Sequence, residues 1–554
     1  MSLGRLICVP AAAFFLLGTR LPADESGHEG HDHGAEVEKL GTVDFPVSCS
    51  EAARKAFPRA AALLHSFAYG RAEQAFQEIV ATDPSCAMGY WGVAMTRFHP
   101  IWAAGNPVAE PTAEDLRVGA DAVRRAKASP LPTPRERDYV EGVEAYYKDA
   151  ATLDHPARSA AFAEAMERLH QRQPQDREAT IFYALALLGT ALPTDKTYVT
   201  QRKAAEILNA VLPEAPDHPG VAHYLIHSMD YPPLAELGLP AARAYAKIAP
   251  SAPHALHMPS HVFTRLGLWD ESIDSNIASA AAALRLVQKA HPGASSYDQL
   301  HALDYLEYAY LQTGRDADAR RVAEEIGKVG ALDVPQFAAA YALAAVPARY
   351  VLERRSWTEA AGLAVRPDSF PWSRFPQSEA MVHFARAVAF ARSGNAAPAR
   401  AALERLAELQ KLVAQRKDAY WADQVEIQRR AAEAWVARQE GRNDEALALL
   451  RSAADLEDAG DKHAVTPGPV LPAREQLADL LEELGRSQAA LEAFETVLKT
   501  SPGRYRSLLG AARTASRAGD RAKARAHYAA LLAQCARSER PELSEARAFV
   551  AQAP

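Results

Sequence analysis

The chain has 554 residues and a formal net charge of -7 at pH 7, with a sequence pI near 6.2. Proteins that neutralise nucleic-acid phosphates carry an excess of basic residues, so this charge argues against nucleic acid as a partner. Glycine and proline fall mostly between apolar-periodic stretches, and few segments alternate as strands do, which predicts a nearly all-helical protein.

The first 23 residues have the outline of a signal peptide. Arg5 precedes an apolar run from Leu6 to Gly18, and Ala23 is a small residue at which cleavage could occur. The run is too short to span a bilayer, and no other stretch could cross one. We therefore expect an exported, periplasmic protein with no transmembrane segment in the mature chain.

Residues 24–44 follow this segment and include a histidine-rich, acidic tract, GHEGHDHGAE. Its histidines are His28, His31 and His33. The composition predicts a flexible tail, which either captures metal ions or is disordered without a role of its own.

From residue 45 to 550 the sequence repeats a pattern of two helices joined by a tight turn. The segment LEELGRSQAALEAFETVLKTSP, with Gly485 and Pro502, has the spacing of the second half of a tetratricopeptide repeat, and Gly519 follows Gly485 by 34 residues. One hairpin cannot bury its apolar face alone, so neighbours must stack. The fold class predicted is all-α, a tetratricopeptide-like α-solenoid.

The same turn recurs earlier in the chain, in SFAYGRAEQAF, RLGLWDESIDS, QTGRDADAR, RRSWTEAA, RSGNAAPAR and QEGRNDEALALL. The equivalent turn positions are Phe67, Gly267, Gly314, Arg355, Gly394 and Gly441. Proline-rich and glycine-rich linkers interrupt the array near residues 99–112, 128–137 and 461–475.

Cys49 and Cys86 each lie just before the first helix of a hairpin, in PVSCSEAARKAF and DPSCAMGYWG. Successive first helices of a solenoid run roughly parallel with adjacent starts, so an oxidising compartment would allow a disulfide if the Cα atoms come within about 7 Å. In the alternative interpretation Cys86 is a small buried residue and Cys49 an exposed thiol.

Two His-x3-His pairs lie one repeat apart. His223 and His227 precede His257 and His261 by 34 residues. Residues four apart share a helix face, and equivalent places on adjacent first helices lie side by side on the concave surface. A lone histidine there would more often bind a peptide or an acid, but four in register predict a metal site.

Three further residues are candidate ligands, namely His254, His301 and Asp304. Asp304 occupies the equivalent place in the next repeat, and His301 lies one turn earlier. Imidazole suits zinc or copper first, with iron or nickel as alternatives. Pro259 lies within the second pair and predicts a kink, which either spoils the pair or exposes backbone beside it.

The chain resembles a widespread group of exported bacterial tetratricopeptide-repeat proteins. The resemblance rests on LLHSFAYGRAEQAFQEIVATDPSCAMGYWG, HYLIHSMDYPP, HALHMPSHVFTRLGLWDESIDSN and TPGPVLPARE, and covers most of the mature chain. It implies an exported helical solenoid, and it assigns no reaction and no catalytic residue.

The sequence contains no phosphate-binding loop, nucleophile elbow, His-Glu-x2-His or Cys-x2-Cys motif. The leading hypothesis is a solenoid that binds a transition metal through its concave-face histidines, to handle the metal or to hold a metal-dependent ligand. Two alternatives stay open: a metal-free scaffold that binds a peptide or protein segment in its groove, and a metal-dependent enzyme.

Overall fold

A computed structural model describes residues 38–103, 110–131, 133–192 and 194–552. One compact unit begins at Lys39. Its described residues form helices and no strands, apart from one isolated bridge between Ser295 and Leu332. The all-α class is confirmed. The proposed signal peptide and the tail histidines, His28, His31 and His33, lie outside the described residues.

The helices of the N-terminal half pack mostly against their neighbours in the chain. In order they are α1 (Glu51–His65), α2 (Tyr69–Thr82), α3 (Ala87–Met95), α4 (Pro100–Ala103), α5 (Ala113–Ala128), α6 (Pro134–Tyr147), α7 (His155–Arg172), α8 (Arg177–Leu188), α9 (Val199–Val211), α10 (Pro219–Met229), α11 (Ala235–Ile248), α12 (Pro253–His257) and α13 (Pro259–Leu266).

The C-terminal half continues the same arrangement. Its helices are α14 (Trp269–Ala290), α15 (Tyr297–Gln312), α16 (Asp316–Gly327), α17 (Phe337–Glu353), α18 (Trp357–Ala361), α19 (Pro376–Arg392), α20 (Ala396–Gln415), α21 (Ala419–Gln439), α22 (Asn443–Ala459), α23 (Ala473–Glu483), α24 (Ser487–Thr500), α25 (Tyr505–Arg517), α26 (Arg521–Gln534) and α27 (Glu542–Ala551). None of these described helices is long and apolar enough to cross a membrane.

The turns confirm the repeat frame. Every turn position predicted from the sequence has a positive φ, at Phe67, Gly267, Gly314, Arg355, Gly394, Gly441, Gly485 and Gly519. Glycine adopts this left-handed conformation freely, whereas a side chain there costs about 1–2 kcal/mol. Phe67 and Arg355 are the two positions in this set that bear that cost.

First helices of successive hairpins contact one another along the inner face: α10 with α13, α12 with α15, and α15 with α17. Here α12 and α13 act together as one first helix that is interrupted at Met258. Two large hydrophobic clusters meet in this part of the chain, one ending at Phe263 and the other beginning at Trp269.

The described parts of the three linkers include some regular structure. Those near 99–112 and 128–137 include α4 and the first turn of α6. The 461–475 segment packs across the inner face of the helices. Two contacts hold it there: the Tyr305 hydroxyl donates to the Thr466 carbonyl at 2.9 Å, and Lys462 pairs with Asp230 at 3.0 Å.

The prediction that residues 24–44 form a flexible tail is wrong for the C-terminal end of this range. Leu40 and Val43 are buried, and the Thr42 amide donates to the Asp217 carbonyl at 3.0 Å. Apolar burial and backbone hydrogen bonding hold this stretch against the helices, so the folded body starts at Lys39 rather than at residue 45.

Cys49 and Cys86 form a disulfide, with their Cα atoms 5.0 Å apart. It joins the residues just before α1 and α3, and the Ser50 amide beside it donates to the Asp83 carboxylate at 2.7 Å. Cys535 is a buried free thiol. The bridge therefore ties the first hairpin to the start of the second.

We predict that replacing Cys49 and Cys86 together by alanine destabilises the first hairpin. The bridge spans 37 residues, and losing a crosslink of that length costs about 4 kcal/mol in the chain-entropy description. Hydrogen exchange should then accelerate at the amides of α1 and α3, while Cys535→Ala leaves them unchanged. Equal exchange rates in both variants would contradict the prediction.

Candidate metal centre

Three neighbouring inner helices bring six histidines together. α10 carries two of them, α12 and α13 carry three, and α15 carries one. None of the six is more than 8 % exposed. They divide into two triads within which the ligand atoms lie within 4.8 Å of one another: His223, His227 and His254 form triad A, and His257, His261 and His301 form triad B.

The four imidazoles expected on one patch do lie on neighbouring inner helices, but they divide between two triads instead of sharing one ligand set. Each His-x3-His pair is completed by one histidine from the next inner helix, His254 for the first pair and His301 for the second. Packed helix axes are 8–10 Å apart, so the neighbouring helix can contribute a side chain to each pair. The result is one three-histidine unit that occurs twice.

Triad A is centred on His223. Its Nε2 atom lies 3.1 Å from Nε2 of His227 and 3.1 Å from Nε2 of His254. Its Nδ1 atom lies 2.6 Å from the His65 carbonyl oxygen, which can only accept, so Nδ1 carries the hydrogen. The neutral ring then has one lone pair on Nε2, directed at two other nitrogens.

Triad B contains a closer contact. Nε2 of His257 and Nε2 of His261 are 2.9 Å apart. The Nδ1–H of His261 donates to Asp230 Oδ2 at 2.9 Å, and that of His257 donates to Asn276 Oδ1 at 2.7 Å. The Asn276 amide donates to the Ser272 carbonyl at 2.7 Å, which fixes its Oδ1 as an acceptor.

Two lone pairs consequently face each other between His257 and His261. Burial lowers the pKa of both rings, so protonation does not supply the missing positive charge near neutral pH. A metal ion between the nitrogens would supply that charge. Two nitrogens that each bind one ion at 2.0–2.1 Å lie about 2.9–3.4 Å apart when the nitrogen–metal–nitrogen angle is between a right angle and the tetrahedral angle. The observed Nε2–Nε2 distances lie in that range.

A third cluster shows what a complete hydrogen-bonded group looks like. Nε2 of His65 and Nε2 of His218 lie 3.0 and 2.9 Å from the two oxygens of Glu178. Nδ1 of His218 accepts the Val221 amide at 3.3 Å, so its Nε2 carries the hydrogen. Each of these contacts pairs a donor with an acceptor, so this cluster is satisfied without a metal.

Asp304, expected as a carboxylate ligand, does not join either triad. Its Oδ1 accepts from Arg349 Nη1 at 2.7 Å, and the same nitrogen reaches Glu307 at 3.0 Å. Both side chains at the first contact are buried. A buried guanidinium needs a counter-charge, and α17 lies on the side of α15 that Asp304 occupies, so the carboxylate pairs with Arg349.

Pro259 interrupts the helix as expected, since α12 ends at His257 and α13 begins at Pro259. The break does not separate the second pair, because the Nε2 atoms of His257 and His261 still meet. The chain keeps a helical conformation through Met258, with φ -53° and ψ -34°.

The surroundings include residues that the sequence did not connect with the histidine site. Phe67 lies against all three rings of triad A, with centroid distances from 4.4 to 5.7 Å. Tyr305 stacks on His261 at 4.8 Å. Asp230 binds Arg265 and Lys462 as well as His261, and although burial raises the pKa of its carboxyl, the two cations outweigh this and hold the pKa well below its usual range.

No protein-family model matches the chain, and no curated protein matches it. Among solved structures, a match to "Crystal structure of APC/C hetero-tetramer Cut9-Hcn1" has 12% identity over 90% of this chain and 96% of that one, with a TM-score of 0.27. A match to "Structure of Naa15/Naa10 bound to HypK-THB" has 11% identity over 90% of each chain and a TM-score of 0.23. The assignment as a tetratricopeptide-like solenoid therefore rests on the helix packing and turn geometry of this chain.

We predict that the metal-free protein loses stability as pH falls below about 6.5. Burial lowers the pKa of all six triad histidines, so the folded chain stays neutral where the unfolded chain takes up protons. Stability is full above the unfolded pKa and declines below it. Urea unfolding at a series of pH values should show a shallower acid limb for His227→Gln.

Exposed His291 provides the control for this experiment. It is solvated in both states, so His291→Gln should keep the slope of the unmodified chain. An acid limb that is the same for His227→Gln and the unmodified chain would contradict the prediction.

Proposed function

We propose that the protein binds two transition-metal ions, one in each histidine triad. The observation that carries the proposal is the contact in triad B between the Nε2 atoms of His257 and His261, whose Nδ1 hydrogens are both committed to acceptors. Triad A supports it by analogy, because the Nδ1 hydrogen of His223 is committed as well and its Nε2 atom faces two other histidine nitrogens. In metal sites a histidine ligand usually donates its second nitrogen to a carboxylate, amide or carbonyl oxygen, which orients the ring. His65, Asn276 and Asp230 provide those acceptors here.

Charge favours copper over other metals. The ligand set of each triad is three neutral imidazoles, and Asp230 already pairs with Arg265 and Lys462. Two divalent ions would bring four positive charges into a buried site whose two triads are neutral, which is costly. The Asp298 carboxyl lines a cavity beside both triads, but burial raises its pKa to about 7. Two cuprous ions bring half that charge, and imidazole is a suitable ligand for copper. Zinc is the alternative.

Export to the periplasm belongs to the same proposal. The Cys49–Cys86 bridge supports it, because disulfides persist in oxidising compartments. The tail histidines His28, His31 and His33 could capture metal there before it reaches the triads.

A scaffold for a peptide or protein segment is the competing function. The position of the 461–475 segment argues against peptide binding at the histidines. This segment already occupies the inner surface near α10, α13 and α15 and contacts Asp230 and Tyr305. A bound peptide would have to use another part of the inner face, which leaves the histidines without a role in its recognition.

We predict two metal ions per chain. The test uses the chain from residue 24 with the three tail histidines replaced by asparagine, so that the tail does not contribute. Elemental analysis after copper loading and dialysis should give two ions, and His257→Ala or His301→Ala should leave one. His291→Gln, at an exposed histidine, is the matched control and should keep two. Absence of copper and zinc uptake would favour the scaffold.

We further predict that Asn276→Leu weakens metal binding in triad B by about 10–100-fold, because the His257 ring loses the acceptor that orients it. Competition with a chromophoric chelator measures the affinity. Ser279 lies on the same helix and donates to the Pro253 carbonyl instead, so Ser279→Ala should leave the affinity nearly unchanged. Equal affinities in both variants would exclude Asn276 as an orienting residue.

A further inference from the structure

We infer that the two triads form a single dinuclear copper centre and that dioxygen binds between its two ions. This inference rests on the proposed function. It adds dioxygen as a ligand and its reduction as a reaction. The proposed metal binding by itself requires only two independent sites.

The first step is the distance between the triads. The rings of His227 and His261 have centroids 6.4 Å apart, and those of His254 and His257 are 6.2 Å apart. Both separations are shorter than the 6.5 Å between His227 and His254 within triad A. The six rings therefore form one cluster rather than two separated sites.

The second step is the backbone that joins the triads. His254 of triad A and His257 of triad B both lie on α12, three residues apart. A helical turn between the two ligands fixes their separation.

The third step concerns the coordination position that the protein leaves vacant at each ion. Three protein ligands and one vacant position are the usual arrangement of a reactive metal site. One cavity is lined by two members of each triad, His227 and His254 from the first and His261 and His301 from the second. The vacant positions of both ions can thus share a single space.

The fourth step is the size and nature of that space. Met258, Phe337 and Val465 form apolar parts of its wall. Its free volume is of the order of two water molecules. A diatomic ligand fits, whereas a phenol or a peptide side chain would need the 461–475 segment, which supplies Val465, to move.

The chemistry conserves charge at the buried centre. Two cuprous ions each give one electron, and dioxygen accepts both to become a bound peroxide while its O–O bond stays intact. The oxygen atoms bind the two ions, which become cupric, and no proton is taken up or released. The net charge is +2 before and after, so the step avoids the cost of adding charge to a desolvated site. The electrons come from the cuprous ions themselves.

The test loads the chain that lacks the tail histidines with cuprous copper under anaerobic conditions and then admits dioxygen. We expect one dioxygen consumed per two copper ions, and a cupric electron paramagnetic resonance signal far below the copper content because the paired spins couple. His301→Ala and His227→Ala, one from each triad, should each hold one ion, consume no stoichiometric dioxygen and show one full spin per copper after oxidation by ferricyanide.

His291→Gln, at an exposed histidine outside the cluster, serves as the control and should behave as the unmodified chain does. Two bound copper ions with two full spins per chain, or without the expected oxygen uptake, would overturn the dinuclear inference and leave the proposed metal binding intact. Uptake of zinc but not copper would also overturn it. A chain that binds neither metal would instead refute the proposed function on which the inference rests.

Discussion

The side-by-side packing of successive inner helices is the constraint on which the histidine cluster depends. Each inner helix places residues four apart on one face, and the next helix contributes a side chain from a few ångströms away. α10, α12 with α13, and α15 repeat this relation, and the three-histidine unit is repeated with it. A site of this kind needs no special loop, because the regular spacing of the solenoid generates it.

Hydrogen-bond acceptors around the cluster determine what the rings can do. The His65 carbonyl, Asn276 and Asp230 each take an Nδ1 hydrogen and leave an Nε2 lone pair facing inward. Around Glu178 the opposite arrangement holds, since ring hydrogens point at a carboxylate. The triads and the cluster around Glu178 therefore differ, because Nε2 lone pairs face inward in the triads whereas ring hydrogens face the carboxylate of Glu178.

The sequence predicted features that depend on repetition along the chain. It gave the correct turn positions, because a left-handed residue is required wherever a hairpin closes, and it identified both histidine pairs and the Cys49–Cys86 pair from their register. It failed where the outcome depends on partners distant in sequence. Asp304 pairs with Arg349, which lies 45 residues away, and no local pattern signals that choice. The acceptor Asn276 likewise belongs to the outer helix α14, whose register carries no histidine signal.

The position of Asp230 links the histidines to the segment that covers them. One of its oxygens accepts from His261 and also contacts Lys462, which lies at the start of the 461–475 segment. Movement of that segment away from the helices would break an ion pair that involves the carboxylate orienting His261. In the proposed metal site the residence time of an ion would therefore be coupled to ligand geometry, because a movement that releases Lys462 also changes the surroundings of the carboxylate that orients His261.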